Sequence, residues 1–92
     1  MPEVNKVYHI SDVEGLYMVD TEVSPLALRI APGTEYQVVD WMPTCSEFEA
    51  YGFVDSTGTW YYGEWRCDGK NPVGWCSSQY LTRLNNKKED FQ

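Results

Sequence analysis

The feature that most constrains this chain is its punctuation. Short β-rich runs are separated by turn signals about every eight to twelve residues, and no stretch sustains a helical apolar period. Leu16-Tyr17-Met18-Val19 is a compact apolar run between Gly15 and Asp20, and Pro25 breaks any helix running through Thr21 to Ser24 and suggests an extended turn into the next segment. Leu26-Ala27-Leu28-Arg29-Ile30 places Leu26, Leu28 and Ile30 on one face of a strand. Ala31-Pro32-Gly33-Thr34 turns the chain into the β-branched and aromatic run Tyr36 to Met42. Glu47 to Val54 alternates charged and apolar residues, as a half-buried strand does. Asp55-Ser56-Thr57-Gly58 is a hairpin signal leading into Trp60 to Cys67, the most aromatic run of the chain. Asp68 to Pro72 turns again, Val73 to Cys76 returns, and Ser77 to Leu81 reads as one 3₁₀ turn into a last short strand. A pattern of this kind gives a small antiparallel barrel or sandwich of five to six short strands.

The chain has 92 residues, enough for a single core. Residues 1–14 read as a lead-in that includes a short strand around Val7–Ile10, residues 15–84 as the barrel, and residues 85–92 as a polar, frayed tail. Four Trp and seven Tyr are more aromatic surface than so small an interior takes, since each ring system buries about 150–250 Å². Some of these rings are therefore expected on the surface.

Fourteen acids against seven bases leave a net charge of −7. A nucleic-acid or anionic-membrane binder carries a basic stripe, and the only basic pair here is Lys87-Lys88. Neither partner is expected; acidity of this degree suits a cationic or polar ligand, and by itself also serves solubility. No run approaches the roughly 20 apolar residues of a membrane span, and the first residues lack the basic and apolar regions of a signal peptide. These features leave open synthesis in the cytoplasm with action there or outside, or a domain cut from a secreted chain.

Catalytic chemistry is hard to assemble from these residues. His9 is the only histidine and is distant in sequence from Cys45, Cys67 and Cys76. There is no Gly-rich phosphate loop, nucleophile elbow or EF-hand pattern, and Glu47 and Glu49 read as exposed alternation. The three cysteines with His9 lack a Cys-x-x-Cys pair for zinc, so neither enzyme activity nor a cofactor is expected. Cys67 and Cys76 flank a turn and would bridge only if register brought their Cα atoms within about 7 Å. Binding is the better use of the aromatic surplus. In Trp60-Tyr61-Tyr62 alternate rings face opposite sides, so at least one large ring is exposed. Tyr36, Trp41, Trp75 and Tyr80 are candidates to join Trp60 and Tyr62 around a groove, with Glu35, Asp40 or Glu64 meeting a ligand amine. Trp60 and Trp75 serve equally well as core residues.

Three motifs in order resemble the bacterial SH3 (SH3b) family. Leu26-Ala27-Leu28-Arg29 followed by Pro32-Gly33 and Tyr36-Gln37-Val38-Val39 resembles its opening Leu-Asn-Val-Arg, Pro-Gly turn and Val-rich strand. Trp60-Tyr61-Tyr62 stands at the place of its Gly-Trp-Tyr strand, and Gly74-Trp75 through Tyr80-Leu81 resembles its closing Gly-Trp and Tyr-Leu. The likeness covers about residues 15–84, with Ala27 at a usual Asn, Cys76 at a usual Val and a longer last hairpin. It implies an SH3-like barrel that holds cell-wall hydrolases, phage lysins among them, against peptidoglycan peptides. The alternatives are an intracellular protein-interaction module, such as a small phage or bacterial factor docking on a host protein, and a structural component of a virion. Free thiols would favour an intracellular role and a Cys67–Cys76 disulfide an extracellular one.

Overall fold

The computed structural model describes residues 6–84; the expected tail, 85–92, and the first five residues lie outside the described residues. Eight strands form: β1 (Val7–His9), β2 (Gly15–Val19), β3 (Leu26–Arg29), β4 (Val38–Met42), β5 (Glu47–Asp55), β6 (Trp60–Arg66), β7 (Val73–Ser77) and β8 (Leu81–Arg83). Single 3₁₀ turns at Ser11–Val13 and Ser78–Tyr80 complete the regular structure, and the fold is all-β among the described residues. The strands run β4-β3-β7-β6-β5-β2-β8 in one antiparallel sheet that curls into a half-barrel, compatible with a small SH3-like barrel. The lead-in strand around Val7 and the last short strand after the second 3₁₀ turn form as expected, and the total among the described residues exceeds the five to six expected of the barrel.

The curl originates in β5. Its first half pairs with β2, from Gly15 opposite Ala50 to Met18 opposite Glu47, and its second half pairs with β1, from Val7 opposite Asp55 to His9 opposite Phe53. Against β6, Ala50 faces Gly63 and Phe53 faces Tyr62, so two additional residues, Tyr51 and Gly52, are accommodated on β5. An irregularity of this kind bends a strand and increases its twist. Gly52 takes φ +100°, and its carbonyl receives the Ile10 N–H at 2.8 Å, which fixes the lead-in across the bend. The lead-in thus covers one edge of the longest strand.

Alternation selects the core. Phe48, Ala50 and Val54 of β5, Leu26 and Leu28 of β3, Tyr17 and Val19 of β2, Met42 and Cys76 are buried on the concave side, where Tyr61, Trp65 and Leu81 pack against the central cluster. Two expectations for this region are corrected. Ile30 does not continue the Leu26–Leu28 face: the pairing with β4 shifts after Leu28, β3 ends at Arg29, and Ile30 is exposed. Tyr36 and Gln37 precede β4 rather than opening it, because the Tyr36 N–H closes a turn onto the Gly33 carbonyl.

Candidate ligand-binding surface

Because Tyr61 faces the core, edge-on to Tyr17 with ring centroids 5.7 Å apart, its neighbours Trp60 and Tyr62 face the opposite side of the sheet. There the registers line up. His9 of β1 is opposite Phe53 of β5, Phe53 opposite Tyr62 of β6, Tyr62 opposite Trp75 of β7, and Trp75 opposite Arg29 of β3. One row of cross-strand partners therefore crosses five strands on the face away from the core. The rings touch in sequence, with centroids at 4.9 Å for His9–Phe53, 6.4 Å for Phe53–Tyr62 and 5.2 Å for Tyr62–Trp75, all tilted or edge-on. Tyr51 adds a further edge contact to Tyr62 at 5.7 Å. Such pairs contribute about 0.5–1.5 kcal/mol each beyond area burial. Phe53 remains 39% exposed, whereas Trp75, flanked by Tyr62 and Arg29, is only 8% exposed.

Polar groups fix the row at its β3 end and beside its middle. The Arg29 guanidinium donates to the Thr34 and Tyr36 carbonyls at 3.0 and 2.8 Å, tying the loop with Glu35 and Tyr36 to the Trp75 end. Farther along β5 and β6, Glu49 stands directly opposite Glu64, a pairing of like charges that is unfavourable unless neutralised. Arg66 bridges them, at 2.7 Å to Glu49 and 3.4 Å to Glu64, and the Tyr51 hydroxyl donates to Glu64 at 2.5 Å. Burial and that carboxylate together hold the Tyr51 phenol up, to about 12. Glu64 is thus already engaged by two neighbours.

A second line of residues follows on the same face. Trp41 of β4 is opposite Ala27 of β3, and Trp60 of β6 is opposite Ser77 of β7. Stepping two residues along the antiparallel pair from Arg29–Trp75 leads to Ala27 and Ser77, which places two small, buried residues between the tryptophans. Trp41 is 51% exposed and Trp60 partly buried. Trp60 is set by Asp55, whose buried carboxylate accepts the Thr57 hydroxyl and the Thr59 and Trp60 N–H groups.

Of the expected ligand residues, Tyr62 and Trp75 meet in one row, Tyr36 and Glu35 occupy the loop at its end, and Trp41, Trp60 and Glu64 share its face. Tyr80 stands apart. It is exposed on the last 3₁₀ turn and lines an open groove of about 630 Å³ with residues 20–26, the β2–β3 connection. Sequence reasoning missed Tyr51, Phe53 and Arg29, although alternation along β5 and β3 carries all three to the outer face. It also missed the groove, because a loop wall leaves no periodic signal.

The cysteines do not bridge. All three are free: Cys76 is buried opposite Tyr61, six residues along β6 from Cys67, and Cys45 is exposed in a turn. Six residues of strand span about 20 Å, far beyond disulfide reach. Among the described residues no group of three or more His, Cys, Asp or Glu is placed to hold a metal ion. Compared with known proteins, the chain matches no family model, no curated protein and no solved structure.

Proposed function

We propose that the protein is a non-catalytic binding module that holds a peptide of bacterial cell-wall peptidoglycan on the outer aromatic face of its sheet. The observation that carries this reading is the row Phe53–Tyr62–Trp75 on the side away from the core, with Trp41 and Trp60 on the same face. Phe53 and Trp41 leave 39% and 51% of their surface open on this face, Tyr62 and Trp60 are partly buried beside them, and Trp75 is buried as a support. The open rings offer flat apolar surface to an extended peptide. The peptidoglycan assignment rests on the SH3b resemblance of Leu26–Val39, Trp60–Tyr62 and Gly74–Leu81.

The test is cosedimentation of the purified protein with intact Gram-positive sacculi, beside Phe53→Ala, Tyr62→Ala and Trp41→Ala variants. Saturable binding that weakens about tenfold or more in the variants supports the reading, since a stacked ring contributes on the order of 1–3 kcal/mol at a contact centre. Absence of binding at low and high salt overturns the cell-wall assignment. A second reading, a module that docks on an intracellular or virion protein, is favoured by the three free thiols, one of them exposed. It is the reading that remains if sacculi fail.

A further inference from the structure

The β2–β3 connection forms a surface separate from the aromatic face. Its groove of about 630 Å³ lies within the range of ligand sites, and its walls combine Val23, Pro25, Leu26 and the ring of Tyr80 with the carboxylates of Asp20 and Glu22. None of the lining residues is basic. Val23 is 88% exposed at the rim and Tyr80 46%, so apolar surface is left open to solvent beside negative charge. The loop is held in shape: the Thr44 hydroxyl donates to the Thr21 carbonyl at 2.9 Å, with the Val19 carbonyl the alternative acceptor at 3.2 Å, and the Asp20 N–H donates to the Tyr80 carbonyl at 2.7 Å. The Thr21 hydroxyl, by contrast, is buried with no hydrogen-bond partner among the described residues.

We infer that this groove binds a lysine side chain of a peptide, its methylene stem along Val23, Pro25 and Tyr80 and its ammonium between Asp20 and Glu22. A long apolar stem ending in a compact charge matches apolar walls that end in carboxylates. A guanidinium fork fits less well, because one Asp20 oxygen already accepts the Thr82 hydroxyl at 3.1 Å, which leaves a poorer bidentate face. The net charge of −7 draws such a ligand toward the protein as a whole. This site does not depend on the aromatic face being a peptidoglycan receptor.

The experiment is a titration of ¹⁵N-labelled protein with acetyl-Gly-Lys-Gly-amide, followed by amide shifts, beside the same peptide with norleucine or arginine in place of lysine. Saturating shifts centred on residues 20–25 and Tyr80 are expected with lysine, with affinity weakened about three- to fivefold in Glu22→Gln and in Asp20→Asn. Raising salt from 20 to 300 mM should weaken it further, about severalfold. The spectrum of each variant reports independently that it is folded. Shifts of equal affinity with norleucine, shifts centred elsewhere, or no shifts at millimolar peptide overturn the inference. Tighter binding of the arginine peptide overturns the lysine preference. Phe53→Ala leaves these shifts in place while lowering sacculus binding, so either proposal can fail without the other.

Discussion

At the scale of single residues, two positions carry more of this fold than their size suggests. A methyl group at Gly63 would lie 2.1 Å from the Glu49 carbonyl oxygen and 2.8 Å from the Ala50 Cα, and backbone cannot swing aside as a side-chain tip can. Gly63→Ala should therefore force β5 and β6 apart, with a loss of about 3 kcal/mol or more, read as a fall in denaturation midpoint. Retention of wild-type stability would mean that the two strands pair differently from the register described. Asp55 acts through hydrogen bonds rather than space. Its carboxylate gathers one hydroxyl and two backbone N–H groups at the β5–β6 hairpin. Asp55→Ala leaves those buried donors unmet, at about 1–3 kcal/mol, and frees the hairpin that sets Trp60. Asp55→Asn, which keeps one acceptor oxygen, should recover part of the loss. If Asn and Ala prove equally damaging, the carboxylate's charge rather than its acceptor geometry holds the turn.

At the scale of elements, the lead-in is the part whose role depends on long-range pairing. β1 covers the second half of β5, and the Ile10 N–H reaches across the bend to the Gly52 carbonyl. Ile10→Pro removes that donor and fits poorly at φ −126°, so it should cost about 1–3 kcal/mol. Amide exchange should then speed up in Val7–His9 before the central strands, with self-association increasing as the β5 edge is uncovered. Exchange that rises evenly across the sheet would show that β1 does not open as a separate unit. The opposite edge, β4, is blunted locally, since the Asp40 carboxylate accepts the Trp41 N–H at 2.9 Å. These elements differ in how far they could be read from sequence. β6 was legible because alternation leaves only two orientations, and placing Tyr61 inward sends Trp60 and Tyr62 outward; Trp75 and Cys76 follow only once the register pairs them with Tyr62 and Tyr61. The end of β3 was not, because the register shift at Leu28 is made by the partner strand and leaves Ile30 without its expected burial. The aromatic row was legible residue by residue but not as a row: which ring faces which depends on the two additional residues of β5 and on a lead-in strand with no pattern of its own. The groove was invisible because its wall is a loop, joined to Tyr80 only by folding.

At the scale of the whole molecule, protons connect the core to the outer face. Burial pushes the Cys76 thiol well above its ordinary 9.0, burial raises the Tyr17 phenol despite Arg83, and burial with the Glu64 carboxylate raises Tyr51 from 10.0 to about 12. All three bind their protons more tightly in the folded chain than in the unfolded one. Their contribution is complete below about pH 9 and is lost as pH rises through 9 to 12, because the unfolded chain releases protons that the folded chain retains. Each group steepens the decline by at most about 1.4 kcal/mol per pH unit, least for Tyr51, which solvent partly screens. Urea unfolding at pH 8, 9.5 and 11 should show stability falling across the series. Cys76→Val, which keeps an apolar branched side chain in the core without an ionisable group, should flatten the interval from 9 to 11. Glu64→Gln should lower the Tyr51 phenol and shift its ultraviolet titration toward pH 10. Thiol labelling supplies the independent check: exposed Cys45 should react within seconds to minutes at pH 8, and Cys76 only as the chain unfolds. Stability that stays flat to pH 11, together with prompt labelling of Cys76, would mean that the thiol reaches solvent and that the half-barrel is open where it is described as packed.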